Sequence, residues 1–229
     1  MIYKNGSLEG IEGGDSGLTE STTINLLLAD STAEKQAKID AVPRSALPGV
    51  TVTFQFEDGT HTETATLTFE GFAYPIEILG NASDTGLSTS KSVDIVFGNS
   101  YGFTIDNCAS FRVKWLDIQC TTTTDNILIY CRESNGELDA CYIHGTGTGG
   151  GIAVDSVRGP LSVSNCYISN IKHGIYAYAS RIYSNNNDDT GTPPLYGLTS
   201  TAASTIGKNG TQPAGSTANE NPSKGGIIR

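Results

Sequence analysis

Asp94 and Asp117 are the two carboxylates in this sequence whose spacing could support general acid–base chemistry. Gln119 lies 25 residues after Asp94 and two after Asp117, and 25 residues is also the period of an internal repeat. On stacked strands with that period, the two carboxylates become diagonal neighbours roughly 7–8 Å apart. Inverting glycosidases hold their two carboxyl groups at such a separation. The pair therefore predicts a candidate catalytic site for polysaccharide cleavage.

Further side chains on the same outward-facing stripe are of types that bind sugars. Aromatic rings pack on sugar faces, and amide or imidazole groups bond hydroxyls. The predicted ligand-binding residues are Trp115, Gln119, Tyr142, His144 and Tyr167. Three interpretations of this stripe stay open: ordinary surface or a subunit contact, glycan binding without cleavage, and catalysis by the two aspartates.

The elements that must position these residues repeat along the chain. Three apolar columns recur at spacings of 25 and 25 residues: Val113, Leu138 and Val163; Leu116, Cys141 and Cys166; and Ile118, Ile143 and Ile168. A second set of repeated segments consists of "GFTI" starting at 102, "NILI" at 126, "GIAV" at 151 and "GIYA" at 174, with spacings of 24, 25 and 23 residues. Apolar and polar residues alternate within each unit, which indicates short strands with one face inward. A constant repeat of such strands predicts a parallel β-solenoid.

Charge provides an independent test of this register. If Val113, Leu138 and Val163 point inward, their neighbours point outward and lie beside one another on adjacent coils. Arg112 then faces Glu137, and Lys114 faces Asp139. Two pairs of opposite charge thus follow from an alignment made only on apolar residues, which supports the alignment.

Composition narrows the function classes. The net charge of −10 argues against binding to nucleic acid or to an anionic membrane, and no apolar run is long enough for membrane insertion. The first residues contain no apolar signal region, so we expect synthesis in the cytoplasm without a signal peptide. The five cysteines lack the close pairs of zinc or redox motifs, so we expect free thiols, no metal and no cofactor.

Three segments are expected. Residues 1–20 are interpreted as a linker or arm, residues 21–190 as a capping helix and β-helix domain, and residues 191–229 as an irregular C-terminal tail that oligomerisation could order. The sequence "STAE" at 31–34 is a capping box, which predicts a helix of about three turns ending near Pro43 and Pro48. Such a helix would cover the open apolar end of the first coil.

Several segments together resemble a known group of proteins. These are "STAEKQAKIDAVPR" (31–44), "TVTFQFEDGTHTETATLTFEGF" (51–72), the repeated coils and "STIGKNGTQPAGS" (204–216). They are similar to right-handed parallel β-helix proteins of the pectate-lyase-like superfamily, and most of all to phage or prophage tail-spike or tail-fibre proteins. The predicted fold class is accordingly all-β, a single-stranded right-handed parallel β-helix of ~25 residues per coil with an N-terminal capping α-helix.

The resemblance implies a homotrimer in a virion or phage-like particle. Its implied partners are a host cell-surface polysaccharide and other tail proteins, and its implied role is structure and host-surface recognition. The motifs of the enzymatic relatives are not reproduced: no acidic trio recurs at coil spacing, and "DD" at 188–189 stands in the wrong order relative to "IHG" at 143–145. A tail-spike depolymerase that uses surface carboxylates is the alternative. A bacterial surface adhesin is a third class, weakened by the missing signal peptide.

Overall fold

The structure is a computed structural model that describes residues 17–98, 101–121, 126–147 and 150–229, with the backbone of two short strands at 3–4 and 7–8. Those strands, β1 (Tyr3–Lys4) and β2 (Ser7–Leu8), form an antiparallel pair. The arm predicted for residues 1–20 otherwise lies largely outside the described residues. In the described part of the chain, no helix has the length and apolar character that crossing a bilayer requires.

The remaining strands form three parallel sheets that stack coil upon coil into a β-solenoid of about seven turns. The nine-stranded sheet contains β3 (Thr22–Leu26), β4 (Val52–Phe56), β7 (Pro75–Leu79), β10 (Ser110–Lys114), β13 (Gly136–Asp139), β16 (Pro160–Ser164), β19 (Arg181–Asn185), β21 (Thr205–Asn209) and β23 (Ile227–Ile228). The five-stranded sheet contains β5 (Gly59–Glu63), β8 (Val93–Phe97), β11 (Asp117–Cys120), β14 (Tyr142–His144) and β17 (Tyr167–Ser169). The seven-stranded sheet contains β6 (Leu67–Glu70), β9 (Tyr101–Asp106), β12 (Ile127–Arg132), β15 (Ile152–Val157), β18 (His173–Tyr178), β20 (Tyr196–Thr201) and β22 (Ala218–Pro222).

The predicted 25-residue register is confirmed for three consecutive coils of the nine-stranded and five-stranded sheets. Val113 pairs with Leu138, which pairs with Val163, and all three side chains are buried. The column Ile118, Ile143 and Ile168 is likewise continuous and buried. The predicted charge pairs also form, with Arg112 Nε 3.3 Å from Glu137 Oε2 and Lys114 Nζ 3.5 Å from Asp139 Oδ2.

The register of the seven-stranded sheet differs from the predicted one. Phe103 pairs with Ile129 rather than with Ile127, and Val154 pairs with Ile175, so the true spacings are 26 and 21 residues. Only the middle step, with Ile127 opposite Ile152, has the predicted spacing of 25. Each error is two residues, because alternation repeats every two residues and a shift of two leaves the inward pattern unchanged.

Two columns of left-handed residues mark the turns between sheets. The turns that enter the nine-stranded sheet hold Asn107, Glu133, Arg158 and Ala179 at φ between +48° and +57°. Those that leave it hold Trp115, Ala140, Asn165 and Asn186 at φ between +50° and +62°. Side chains other than glycine adopt this conformation at a cost, so its recurrence shows that coil stacking imposes the turn.

The predicted capping helix is confirmed as α1 (Thr32–Asp40). Ser31 is its N-cap, and both bonds of the capping box with Glu34 are present. The helix contacts β3 and β6, the first strands of two sheets, and its Ile39 is buried in the core. Lys35 is also buried, and its Nζ lies 2.8 Å from Glu63 Oε1. An apolar side chain and a buried ion pair thus hold α1 against the first coil.

The five cysteines are free and buried. Cys141 and Cys166 occupy the inward column predicted for them, since Tyr142 N donates to Leu116 O and Tyr167 N donates to Cys141 O. Their thiols therefore act as small apolar core groups.

The C-terminal segment 191–229 contains strands, although its composition predicts an irregular tail. β20 and β22 extend the seven-stranded sheet, and β21 and β23 extend the nine-stranded sheet. The five-stranded sheet stops at β17, where Tyr167 forms an isolated bridge with Asp188. Sparse apolar residues hide these strands from sequence patterning, because the ladder hydrogen bonds come from backbone that every residue carries.

Candidate functional site

The five-stranded sheet presents most of the residues that the sequence predicts for a site. Asp94, Asp117, Tyr142 and Tyr167 form one outward column on β8, β11, β14 and β17. Asp117 therefore lies directly opposite Asp94 and not diagonally to it, so the predicted register is wrong by two residues at this step. Adjacent strands are about 4.8 Å apart, and the spacing argument for an inverting pair no longer holds.

Neighbouring side chains bond one oxygen of each carboxylate in this column. Gln119 Nε2 donates to Asp94 Oδ1 over 2.8 Å, and His144 Nε2 lies 3.0 Å from Asp117 Oδ1. Gln119 and His144 pair with each other in the adjacent column. The imidazole also stacks on Tyr142, with ring centroids 4.2 Å apart. The structure thus brings the predicted aspartates, amide, imidazole and one tyrosine together on one face, in two adjacent hydrogen-bonded pairs.

Burial raises the pKa of Asp117, and the hydrogen bond from His144 opposes that rise. The negative charge of Asp94 adds to the rise. A carboxyl with a raised pKa beside an imidazole could relay a proton. Both groups nevertheless already bond each other, so a ligand would have to displace an existing contact. The catalytic and binding roles predicted for this face stay predictions.

The remaining predicted residues lie at the margins of this network. Trp115 stands in a left-handed turn before β11 rather than within the strand, and it is half-buried. Tyr167 ends the column and pairs through its backbone with Asp188. Tyr142 Oη lies 3.4 Å from Ser169 Oγ, which ties it to the last strand of the sheet.

The seven-stranded sheet carries an open groove of about 750 Å³ on its outward face. Four tyrosines line it: Tyr101, Tyr130, Tyr176 and Tyr178. Tyr101 and Tyr178 are 43% and 44% exposed. Tyr130 lies edge-on to Tyr101 with centroids 6.4 Å apart. Exposed rings on a concave surface provide flat apolar area together with hydroxyl groups, which suits the two kinds of surface on a sugar.

An ion pair forms one wall of this groove. Arg132 on β12 donates from Nε to Asp106 Oδ1 over 2.9 Å, and a second, short bond joins its Nη2 to Asp106 Oδ2. This bidentate pair joins neighbouring coils, since the two residues are partners in the ladder. The guanidinium is therefore already engaged, although about half of its surface is exposed.

Asp155 lies on the floor of the groove. It stands between Tyr130 and Tyr176 in one column, because β15 pairs with β12 on one side and β18 on the other. The residue is only 7% exposed, and its Oδ1 is buried without a hydrogen-bond partner. Burial raises the pKa of Asp155 to about 7. Burial raises the pKa of both Tyr130 and Tyr176, and the negative charge of Asp155 raises it further.

The same face continues past the groove to His173. Its Nδ1 lies 2.9 Å from Thr199 Oγ1, and its ring stacks on Tyr196 with centroids 5.0 Å apart. Burial lowers the pKa of His173 to about 4, with Lys172 adding to the effect. The imidazole is therefore neutral at physiological pH and contributes no positive charge to this face.

Sequence reasoning did not select the residues of this groove. The correct spacing between "NILI" and "GIAV" places Tyr130 opposite Asp155, and an acidic residue directly after the apolar run 152–154 was a usable signal. Tyr176 could not be added, because the step from β15 to β18 is 21 residues and not 23. The tyrosine–aspartate–tyrosine column thus emerges only from the folded register.

Among the described residues, no cluster of three or more His, Cys, Asp or Glu side chains is arranged to hold a metal ion. Comparison with known proteins adds no assignment: neither the protein-family models nor the curated proteins include a match to this chain.

Proposed function

We propose that this chain is a glycan-binding β-helix protein that binds a host cell-surface polysaccharide through the groove of its seven-stranded sheet. The observation that carries the proposal is the group of four tyrosines that lines the groove around the buried Asp155 carboxylate. Tyr130 and Tyr176 lie two coils apart in one column, roughly 10 Å, and Tyr101 lies on the coil before Tyr130, so an extended sugar chain could contact several rings at once. An open groove also admits an internal stretch of a polymer, whereas a closed pocket admits only its end.

The setting that we propose is the tail of a phage or prophage particle. The resemblance of the helix, the coils and the C-terminal segment to tail-spike and tail-fibre proteins supports this setting, as does the stacked-coil fold. In that setting the chain is a homotrimer that contacts other tail proteins. Light scattering of the purified chain tests the trimer: a mass of three chains is expected, and a monomer at micromolar concentration contradicts it.

A binding assay with paired variants tests the glycan proposal. The protein is incubated with an array of bacterial capsular and lipopolysaccharide glycans, and Kd is measured for those retained. Replacing both Tyr130 and Tyr176 by Ala is expected to weaken binding about tenfold or more, since ring contacts of this kind are worth about 1 kcal/mol each. The matched control replaces Tyr142 and Tyr167 by Ala on the five-stranded sheet. Equal loss in the two double variants would contradict the location of the site.

A depolymerase of the same fold is the second candidate. The favouring observation is Asp155, because a carboxyl whose pKa is about 7 can donate a proton to a leaving sugar at neutral pH. Asp106 is the other carboxylate of the groove. Release of reducing ends from a retained glycan, lost in Asp155→Asn, would establish this activity. Binding without any release of reducing ends would leave recognition as the function.

A further inference from the structure

Asp155 has a carboxylate that the protein itself leaves unpaired. Its Oδ1 has no hydrogen-bond partner, and no described Lys or Arg forms an ion pair with it. A buried charged group is unfavourable unless a counter-charge or several hydrogen bonds compensate for lost water. A ligand could supply that compensation in the groove.

The charged and titratable groups around Asp155 do not provide a positive charge. On β12, Arg132 is bound to Asp106 of β9 by two hydrogen bonds. On β18, burial holds the pKa of His173 at about 4, so this ring is neutral. Glu70 of β6 continues the column of Asp106 and adds negative charge. The immediate surroundings are therefore neutral to negative, within a chain whose net charge is −10.

The walls beside the carboxylate are aromatic. Tyr130 and Tyr176 occupy the ladder positions on either side of Asp155. The negative faces of tyrosine rings attract cations, and carboxylate plus rings is the arrangement that recognises organic ammonium groups. A metal ion would need several further ligands, and within the part of the chain that the structure describes no cluster of three or more His, Cys, Asp or Glu side chains is arranged to supply them.

We propose that the groove binds a positively charged ammonium group, carried by an amino sugar of the glycan, with Asp155 as its counter-ion and Tyr130 and Tyr176 as its walls. The identity of the carrier rests on the proposed glycan-binding function, whereas preference for a cation rests on the groove alone. Binding of the cation makes ionisation of Asp155 more favourable, so affinity increases as the pH rises toward neutrality.

A pair of small probes isolates the charge. Choline and 3,3-dimethylbutan-1-ol have nearly the same shape, but only choline is charged, and its charge does not titrate. Ligand-observed NMR titrations with the whole chain are expected to give a Kd for choline that is at least about tenfold lower. The Asp155→Asn variant keeps the shape of the side chain and should lose this preference. Asp94→Asn on the five-stranded sheet is the matched control and should keep it.

A second pair of probes identifies the carrier. The glucosamine hexamer and its fully N-acetylated counterpart share one backbone and differ in positive charge. The deacetylated hexamer is expected to bind at least about tenfold more tightly near pH 6, and Asp155→Asn should abolish the difference. Thermal melts of each variant establish that it is folded.

The outcomes separate this inference from the proposed function. Equal affinity for choline and its neutral analogue, or unchanged choline binding in Asp155→Asn, would overturn the cation site even if polysaccharide still binds. Choline selectivity with no binding to any polysaccharide would support the cation site and contradict the glycan-binding function. Choline selectivity with equal affinity for the two hexamers would overturn the amino sugar as carrier.

Discussion

The outward faces of the five-stranded and seven-stranded sheets use similar residues in opposite ways. On the five-stranded face, Asp94 and Asp117 are bonded by Gln119 and His144. On the seven-stranded face, Asp155 is more deeply buried and one of its oxygens has no partner. A satisfied polar network holds coils together, whereas an unsatisfied one retains bonding capacity for a ligand. Whether the aspartate oxygens already have hydrogen-bond partners therefore distinguishes the two faces better than the types of residue they carry.

The largest effect is expected from Asp155, whose unpaired carboxylate should lower the free energy of unfolding when it is ionised. The pKa of this carboxyl is about 7 in the folded chain and 3.8 in the absence of burial, so between these values the folded state holds a proton that the unfolded state has lost. Stability consequently falls as the pH rises from about 4 to about 7, by an amount on the order of 4 kcal/mol. Asp155→Asn should remove this loss, raising the free energy of unfolding at about pH 8 and changing it little at about pH 4.

Urea unfolding at the two pH values measures this difference. Asp94→Asn serves as the control, because Gln119 already bonds that carboxylate in the folded chain. A variant Asp155→Asn that is equally destabilised at both pH values would show that Asp155 is compensated in solution, and the contrast between the faces would disappear.

His173 gives the next effect, with the opposite sign. Its pKa falls from 6.5 to about 4 on folding, so below about pH 6.5 the unfolded state binds a proton that the folded state refuses. Stability should decrease by about 2 kcal/mol as the pH falls from about 6.5 to 4, after allowance for partial exposure. In the His173→Asn variant, the free energy of unfolding measured with urea should change less between about pH 6.5 and pH 4. The same pH dependence of stability in the variant and in the unchanged chain would contradict the burial of this ring.

Substitutions on the five-stranded face should change stability less, because they remove only hydrogen bonds and ring contacts within that face. His144→Ala removes the hydrogen bond to Asp117 and the stacking on Tyr142, which should cost about 1–2 kcal/mol in the free energy of unfolding. Because that bond opposes the effect of burial, its loss should also raise the pKa of Asp117 further. Carboxyl NMR titration measures this pKa. A lower value in the variant would mean that His144 does not stabilise the ionised carboxylate.

The smallest effect is expected at Gln119. Gln119→Leu removes one hydrogen bond to a partly exposed Asp94, so stability should fall by about 0.5–1 kcal/mol. Glycan affinity should not change if the ligand binds the seven-stranded face. A glycan Kd raised about tenfold in this variant would place the ligand on the five-stranded face and reverse the comparison.

Sequence patterning predicted much of the fold from local rules. The capping box of Ser31 and Glu34 specified α1, and columns such as Val113, Leu138 and Val163 specified parallel stacking. These features depend on residues close in sequence or on loops of constant length. The strands of residues 191–229 could not be predicted in this way, because their pairing relies on backbone groups and on coils already formed before them.

Within the repeated coils, the sequence by itself determined which side chains face inward and which face outward. It did not determine which outward side chains become neighbours. Loops of unequal length shift the strand register by two residues, and such a shift leaves the alternation of inward and outward residues unchanged. Asp117 thus meets Asp94 directly, and Asp155 lies between Tyr130 and Tyr176. Only the tertiary structure decided that one aspartate pair is bonded by its neighbours while the third aspartate is buried with an unpartnered oxygen, since burial and partner geometry depend on that final register.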